Sequence, residues 1–132
     1  MPEMFDIASQ AVADTATLHL KDANGAPLYD ANGQPLRVVL YGPGSQPFTM
    51  VEERQSARAV KRVNDNEGKT QAIPMAQRLA EQSEDLAALT IQFENFTYKP
   101  AGDKTGFELY QAFYADPKLN YLTQQVTKFV QN

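Results

Sequence analysis

The stretch that most constrains the fold runs from Leu36 to Val63, where a strand pattern stops abruptly and a helical pattern begins at once. Residues 36–41 are rich in β-branched and aromatic side chains, which suit a pleated, half-buried strand. The segment 42–45, Gly-Pro-Gly-Ser, cannot continue that strand, because proline lacks an N–H and glycine weakens regular structure. Apolar residues then recur with helical spacing. The sequence therefore predicts a strand, a tight break and a helix over residues 46–66.

Two residues are candidates for the start of this helix. Ser45 could cap it with Pro47 in the first turn, or Thr49 could cap it with Glu52 three residues later in a capping box. The faces of the helix that are not apolar carry four basic side chains, namely Arg54, Arg58, Lys61 and Arg62. These residues are the basis of one functional alternative considered below.

An eight-residue repeat precedes the strand. Asp-Ala-Asn-Gly-Ala-Pro-Leu at 22–28 recurs as Asp-Ala-Asn-Gly-Gln-Pro-Leu at 30–36. Asp and Asn favour turns, and Gly accepts a positive φ without steric cost. An EF-hand loop would need a Glu at its twelfth position, which is occupied here by Gly33 or Tyr41, so calcium binding is not predicted. We expect two consecutive turns and antiparallel pairing of residues 15–21 with the strand.

The rest of the chain completes an α+β pattern in one domain, residues 1–132. An antiparallel hairpin over 15–41, with a candidate third strand at 89–98, packs against about four helices, at 46–66, 75–88, 106–115 and 117–131. The alternation in residues 15–21 puts His19 on the polar face, where we expect it to be solvated. Residues 1–14 form an arm that either covers the end of the core or offers apolar side chains to a partner.

Apolar side chains exceed what one buried helix face needs in the last third of the chain. Either the helix at 106–115 is buried between the sheet and the last helix, or part of it forms a patch for a partner or for self-association. The candidate partner-binding residues are Phe107, Tyr110, Phe113, Tyr114, Leu122, Val126 and Phe129.

Composition narrows the classes of function. The formal net charge of −4 argues against a general binder of nucleic acid or of anionic membranes. No window approaches the roughly 20 apolar residues of a membrane span, and the absence of cysteine is compatible with a cytoplasmic protein. No catalytic residues, cofactor site or metal site are predicted, because no nucleophile–base pair, phosphate loop or metal-ligand spacing is present. We expect a protein that is not an enzyme.

The layout resembles the small tail assembly chaperones of long-tailed bacteriophages and prophages. The segments that carry the resemblance are Leu36–Phe48, with its Gly-Pro-Gly-Ser break, Phe107–Tyr114 (F-x-L-Y-x-x-F-Y) and Leu122–Phe129 (L-x-Q-Q-V-x-x-F). The resemblance implies a protein of the bacterial host cytoplasm that keeps the long helical tape measure protein soluble. It also implies that the protein helps recruit tail tube subunits. Such families have no defined site residues that could be assigned to positions in this chain.

Two alternatives remain open at this point. The first is a structural phage component, such as a tail terminator or connector subunit, which would assemble into rings. The second is a nucleic-acid-binding module that uses the basic residues of the helix at 46–66. This second hypothesis loses its basis if those residues form ion pairs with Glu81, Glu84 and Asp85.

Overall fold

Short strands and longer helices follow one another along the chain in the computed structural model, which describes residues 4–10, 13–69 and 72–131. The strands are β1 (Thr15–His19), β2 (Arg37–Tyr41) and β3 (Thr90–Glu94). The helices are α1 (Gln46–Asp65), α2 (Met75–Leu89), α3 (Gly106–Tyr114) and α4 (Asn120–Gln131). Short 3₁₀ turns span Ile7–Gln10, Lys99–Ala101 and Pro117–Leu119. The predicted α+β class is confirmed, with an antiparallel hairpin, a third strand and four helices.

The three strands form one antiparallel sheet in the order β1-β2-β3. The central strand contributes Val38 and Leu40, which are both completely buried. β3 is shorter than the predicted segment 89–98, because Asn95 adopts a φ of 70° and turns the chain away. The Asn95 side chain donates a hydrogen bond to the carbonyl of Pro35 at 2.7 Å, which fixes this corner to the end of the hairpin.

The repeated segment forms two turns, as predicted, and their leucines form a closed ring of backbone hydrogen bonds. The N–H of Leu20 donates to Leu36, that of Leu36 donates to Leu28, and that of Leu28 donates back to Leu20, at 2.9–3.0 Å. Within each turn the aspartate, Asp22 or Asp30, accepts two backbone N–H groups through its Oδ1 atom. These carboxylate oxygens therefore serve the turns.

His19 is half-buried instead of solvated, because the first of these turns folds back over it. Its Nε2 atom lies 2.8 Å from the carbonyl oxygen of Leu28, and its ring meets that of Tyr29 edge-on at 5.1 Å between centroids. The sequence pattern had placed His19 correctly on the outer face of β1. It could not reveal that the turn covers that face.

The break between β2 and α1 is tightly built. Ser45 caps α1: its Oγ atom accepts the N–H of Phe48 at 3.4 Å and donates to the carbonyl of Gly42 at 2.7 Å. Of the two predicted starts, Ser45 is therefore the observed one. Gly42 is required by close approach, since a Cβ atom there would lie 2.7 Å from the carbonyl oxygen of Ala13.

The core lies between one face of the sheet and helices α2, α3 and α4. Only one side chain of α1, Val51, is buried, so most of this long helix lies outside the core. The N-terminal residues 4–9 also lie outside it, and Met4, Phe5 and Ile7 are 95%, 71% and 75% exposed. Of the two possibilities for the arm, covering the end of the core is therefore not observed for these residues.

Candidate functional site

The seven residues that the sequence indicated as a partner-binding surface are mostly core residues. Phe113, Tyr114, Leu122 and Val126 are buried, Tyr110 and Phe129 are half-buried against the core, and Phe107 is 44% exposed. Four of the seven side chains therefore cannot contact a partner in this structure. Of the two possibilities that the sequence left for α3, burial is observed for Phe113 and Tyr114, while Phe107 remains exposed.

The physical reason is an aromatic cluster that β3 and α3 build together. The ring of Phe93 on β3 contacts Tyr110 and Phe113 with centroids 4.7 and 5.1 Å apart, and it stacks on Phe96 at 4.5 Å. Aromatic pairs at these separations stabilise a core beyond the area that they bury. The aromatic side chains of Tyr110, Phe113 and Tyr114 therefore pack against Phe93 of the sheet.

A groove of about 1010 Å³ opens instead between α1, α2 and α4. Its apolar surface comes from Phe48 and Val51 of α1, Met75, Leu79, Leu86 and Leu89 of α2, and Val130 of α4. Its polar surface is rich in amides, from Gln55, Gln82, Asn120, Gln124 and Gln131. Helix-binding sites combine these two features, an apolar floor and a polar rim.

The groove exists because α1 is attached to α2 mainly by charged side chains. Asp85, which is buried, accepts hydrogen bonds from Arg54 and Arg58, with its closest contact at 2.8 Å to Nη1 of Arg58. Glu84 forms ion pairs with the same two arginines at 3.4 and 3.3 Å. One turn further along, Arg62 is paired with Glu81. Beside this row Met75 is exposed and Phe48, Leu79 and Val130 are half-buried, whereas Val51, Leu86 and Leu89 belong to the buried core.

These ion pairs shift the pKa values of their members. Burial alone would lower the pKa of Arg58, but the hydrogen bond and charge of Asp85, together with the charge of Glu84, outweigh it and raise that pKa. The hydrogen bond from Arg62 lowers the pKa of Glu81 below its ordinary value. Arg58 and Glu81 are therefore ionised at neutral pH.

The same pairs bear on the nucleic-acid hypothesis. Arg54, Arg58 and Arg62 are engaged with the acidic residues of α2, and Lys61 lies 3.7 Å from Asp65 of its own helix. Binding of a nucleic-acid phosphate would need these cations to be free of other anions. Each of them instead already faces a carboxylate. The hypothesis therefore loses its stated basis.

Within 4–10, 13–69 and 72–131, no three His, Cys, Asp or Glu side chains are grouped so that they could hold a metal ion. No helix of that part of the chain is both long enough and apolar enough to cross a bilayer.

The sequence carried a signal for the groove, but an ambiguous one. The apolar spacing of α1 and α2 predicted that each helix has a buried stripe. It could not indicate that the stripes of two neighbouring helices would share an open cleft, because that depends on how far apart the ion pairs hold them. Comparison with other proteins adds no identification, since no family model, no curated protein and no solved structure matches this chain.

Proposed function

We propose that this protein is a non-enzymatic tail assembly chaperone of a long-tailed phage or prophage, which binds the tape measure protein and helps recruit tail tube subunits. Its place of action would be the cytoplasm of the bacterial host. The family resemblance of the sequence supports the biological role. The observation that carries the binding role is the open groove between α1, α2 and α4.

The dimensions of the groove suit a single helix. Its apolar residues extend over about four turns of α2, from Met75 to Leu89, and a helix rises about 5.4 Å per turn. An amphipathic helix offers apolar side chains at i, i+3, i+4 and i+7, which would lie on Met75, Leu79 and Val130, three apolar lining residues that are not fully buried. The side-chain amides along the rim of the groove can donate or accept hydrogen bonds. They can therefore pair with varied polar residues beside the apolar stripe of the bound helix.

A short groove of this kind suits a long helical partner to which many copies of the chaperone bind. One groove would cover about four turns, so a long helical protein would need many copies of the chaperone to stay soluble. Each contact could be weak, since several sites on one chain reinforce binding without new contacts.

The test is co-expression with the long helical protein encoded nearby, followed by measurement of how much of it is recovered in the soluble fraction with this chain attached. Met75→Asp places a carboxylate in the groove, at a residue that is 72% exposed and makes no contribution to the core. We expect this variant to fold and to lose the partner. Met50→Asp is the matched control, since Met50 is 59% exposed on α1 and does not line the groove.

Loss of the partner with Met75→Asp alone would support the proposal. Equal recovery with both variants, or an insoluble partner with the unmodified chain, would contradict it. Core substitutions such as Phe113→Asp or Val126→Asp are unsuitable for this test, because these side chains are buried and the variants would unfold.

A second candidate is a structural tail or connector subunit. The observation that favours it is the exposure of Met4, Phe5 and Ile7, three apolar side chains within one short segment. Segments of this kind often bind a neighbouring copy. Closed rings of the purified chain in solution, without any partner, would favour this candidate over the chaperone.

A further inference from the structure

Two charged side chains in the groove have no partner, in contrast to their neighbours. Arg58, Arg62, Glu81 and Asp85 line the groove and neutralise one another. Glu52 and Arg78 also line it and are exposed, yet neither takes part in an ion pair or a side-chain hydrogen bond among the residues that the structure describes. The groove therefore presents one free negative and one free positive charge.

The direction of the helices places these two charges at opposite ends. Arg54 pairs with Asp85, whereas Arg62, further along α1, pairs with Glu81, which is earlier in α2, so the two helices run antiparallel. Glu52 precedes Arg54, and Arg78 precedes Glu81. At 1.5 Å of rise per residue, Glu52 and Arg78 lie about 15–20 Å apart along the groove.

We propose that the groove recognises two opposite charges about three turns apart on the bound helix, and that the order of these charges sets the direction in which the helix lies. An acidic residue would face Arg78, and a basic residue about eleven positions away would face Glu52, since eleven residues complete about three turns on one face. This inference rests on the proposed function, because it describes the partner of the same groove.

Side-chain charges can set the direction because the bound segment lies inside a long helix. The partial charges of a helix are concentrated at its first and last turns. In a long partner those turns are far from the groove, so the helix dipole exerts little bias there. A segment with its acidic residue first would lie parallel to α2, and one with its basic residue first would lie antiparallel to α2.

The test uses synthetic helical peptides of roughly 18 residues with leucines at helical spacing. One carries Glu before Lys, with the Lys about eleven positions after the Glu, the second carries Lys before Glu at the same spacing, and the third has Gln at both positions. Each bears a nitroxide label at its N-terminus and is added to the ¹⁵N-labelled protein. We expect the first peptide to broaden the amide signals around Arg78 and the second to broaden those around Glu52. The Gln peptide should bind about two- to five-fold more weakly for each lost pair.

Variants of the protein sharpen the result. In the double variant Glu52→Lys with Arg78→Glu, the first peptide should broaden the amide signals around position 52 and the second those around position 78. The control is Glu53→Lys with Lys128→Glu, which makes the same charge changes outside the groove. In this control each peptide should broaden the same signals as in the unmodified protein.

The outcomes separate this inference from the proposed function. If both charged peptides bind in the groove with their labels at the same end, the charge rule is wrong and the groove remains a helix-binding site. If none of the three peptides perturbs the groove residues, the charge rule and the proposed binding site are both wrong.

Discussion

Tyr114 illustrates how a polar group is accommodated at the centre of this core. Its side chain is completely buried, and its hydroxyl lies 2.7 Å from Oγ1 of Thr90. The single hydroxyl proton of Thr90 is directed to the carbonyl of Leu86 at 2.8 Å, so Tyr114 must be the donor in the bond between the two hydroxyls. Burial raises the pKa of Tyr114, which keeps it protonated and able to donate.

Replacing Tyr114 by Phe should therefore cost stability without changing the fold. The variant keeps the ring in the aromatic cluster but leaves Thr90 Oγ1 without its donor. We expect a loss of about 1 kcal/mol in the free energy of unfolding, measured with urea. Tyr121→Phe, at a residue that is partly exposed, should change it by less than about 0.5 kcal/mol.

Gln125 is a second residue whose role depends on both of its polar atoms. Its Oε1 accepts the N–H of Lys21 at 2.9 Å, and its Nε2 donates to the carbonyl of the same residue at 2.7 Å. The side-chain amide thus pairs with the backbone as a neighbouring strand would, and it ties α4 to the chain just after β1.

Gln125→Glu should weaken this attachment. A carboxylate cannot donate to the Lys21 carbonyl and repels it, so we expect a loss of about 1–2 kcal/mol in thermal or urea unfolding. Gln124→Glu makes the same substitution at an exposed position one residue earlier. An equal loss in both variants would mean that charge on α4, and not the paired hydrogen bonds, is responsible.

At the scale of elements, the attachment of α1 to α2 depends on Asp85. This carboxylate accepts hydrogen bonds from Arg54, Gln55 and Arg58, and only 9% of its side chain is exposed. Asp85→Ala leaves these donors without their shared acceptor, although Glu84 still faces both arginines.

We expect Asp85→Ala to lower the free energy of unfolding by about 1–3 kcal/mol and to increase hydrogen exchange along α1 more than in α3. Asp65→Ala removes the acidic partner of an exposed pair within α1 and should cost about 0.5 kcal/mol or less. Uniform exchange changes in all helices would contradict a local role for Asp85.

The row of ion pairs also makes the α1–α2 contact sensitive to acid. The pKa of Glu81 in the folded protein lies below its ordinary value of 4.5, because Arg62 donates a hydrogen bond to it. The pair therefore stabilises the fold fully above about pH 4.5, and that contribution is lost as the pH falls through the lowered pKa.

Glu81→Gln should consequently be less stable than the unmodified protein at pH 7 and closer to it at pH 3. Urea unfolding at the two pH values measures this difference. Glu53→Gln, which removes an exposed carboxylate without an ion pair in the described part of the chain, should show no such convergence.

For the whole molecule, the exposed segment at residues 4–10 predicts behaviour in solution and not stability. Replacing Met4, Phe5 and Ile7 by Ser should leave the melting temperature within about 2 °C, because their side chains contact little of the core. The same change should reduce self-association, measured by analytical ultracentrifugation over a range of concentrations. A large fall in melting temperature would mean that the segment packs on the domain after all.

The sequence predicted much of this architecture and little of its candidate site. Alternation and helical spacing are local signals, so β1, β2 and the helices were predicted close to their observed ends. Whether Phe113 or Leu79 faces solvent depends on which elements meet in space. The sequence offered the aromatic residues of α3 as one candidate surface, because they form the richest apolar segment. The observed groove is lined by ordinary, widely spaced helix residues beside a row of long ion pairs.

The ring of three leucines bears on how this chain could have arisen. A hairpin with one copy of the repeat would need only two leucines, each donating to the other as in any antiparallel pair. Duplication of eight residues adds a third leucine to this ring of backbone hydrogen bonds and leaves β1 and β2 in register. Deleting residues 29–36 should therefore restore a plain two-stranded turn with the rest of the domain intact. The present chain thus has the form expected when an ancestral hairpin is lengthened in one step by duplication of its turn.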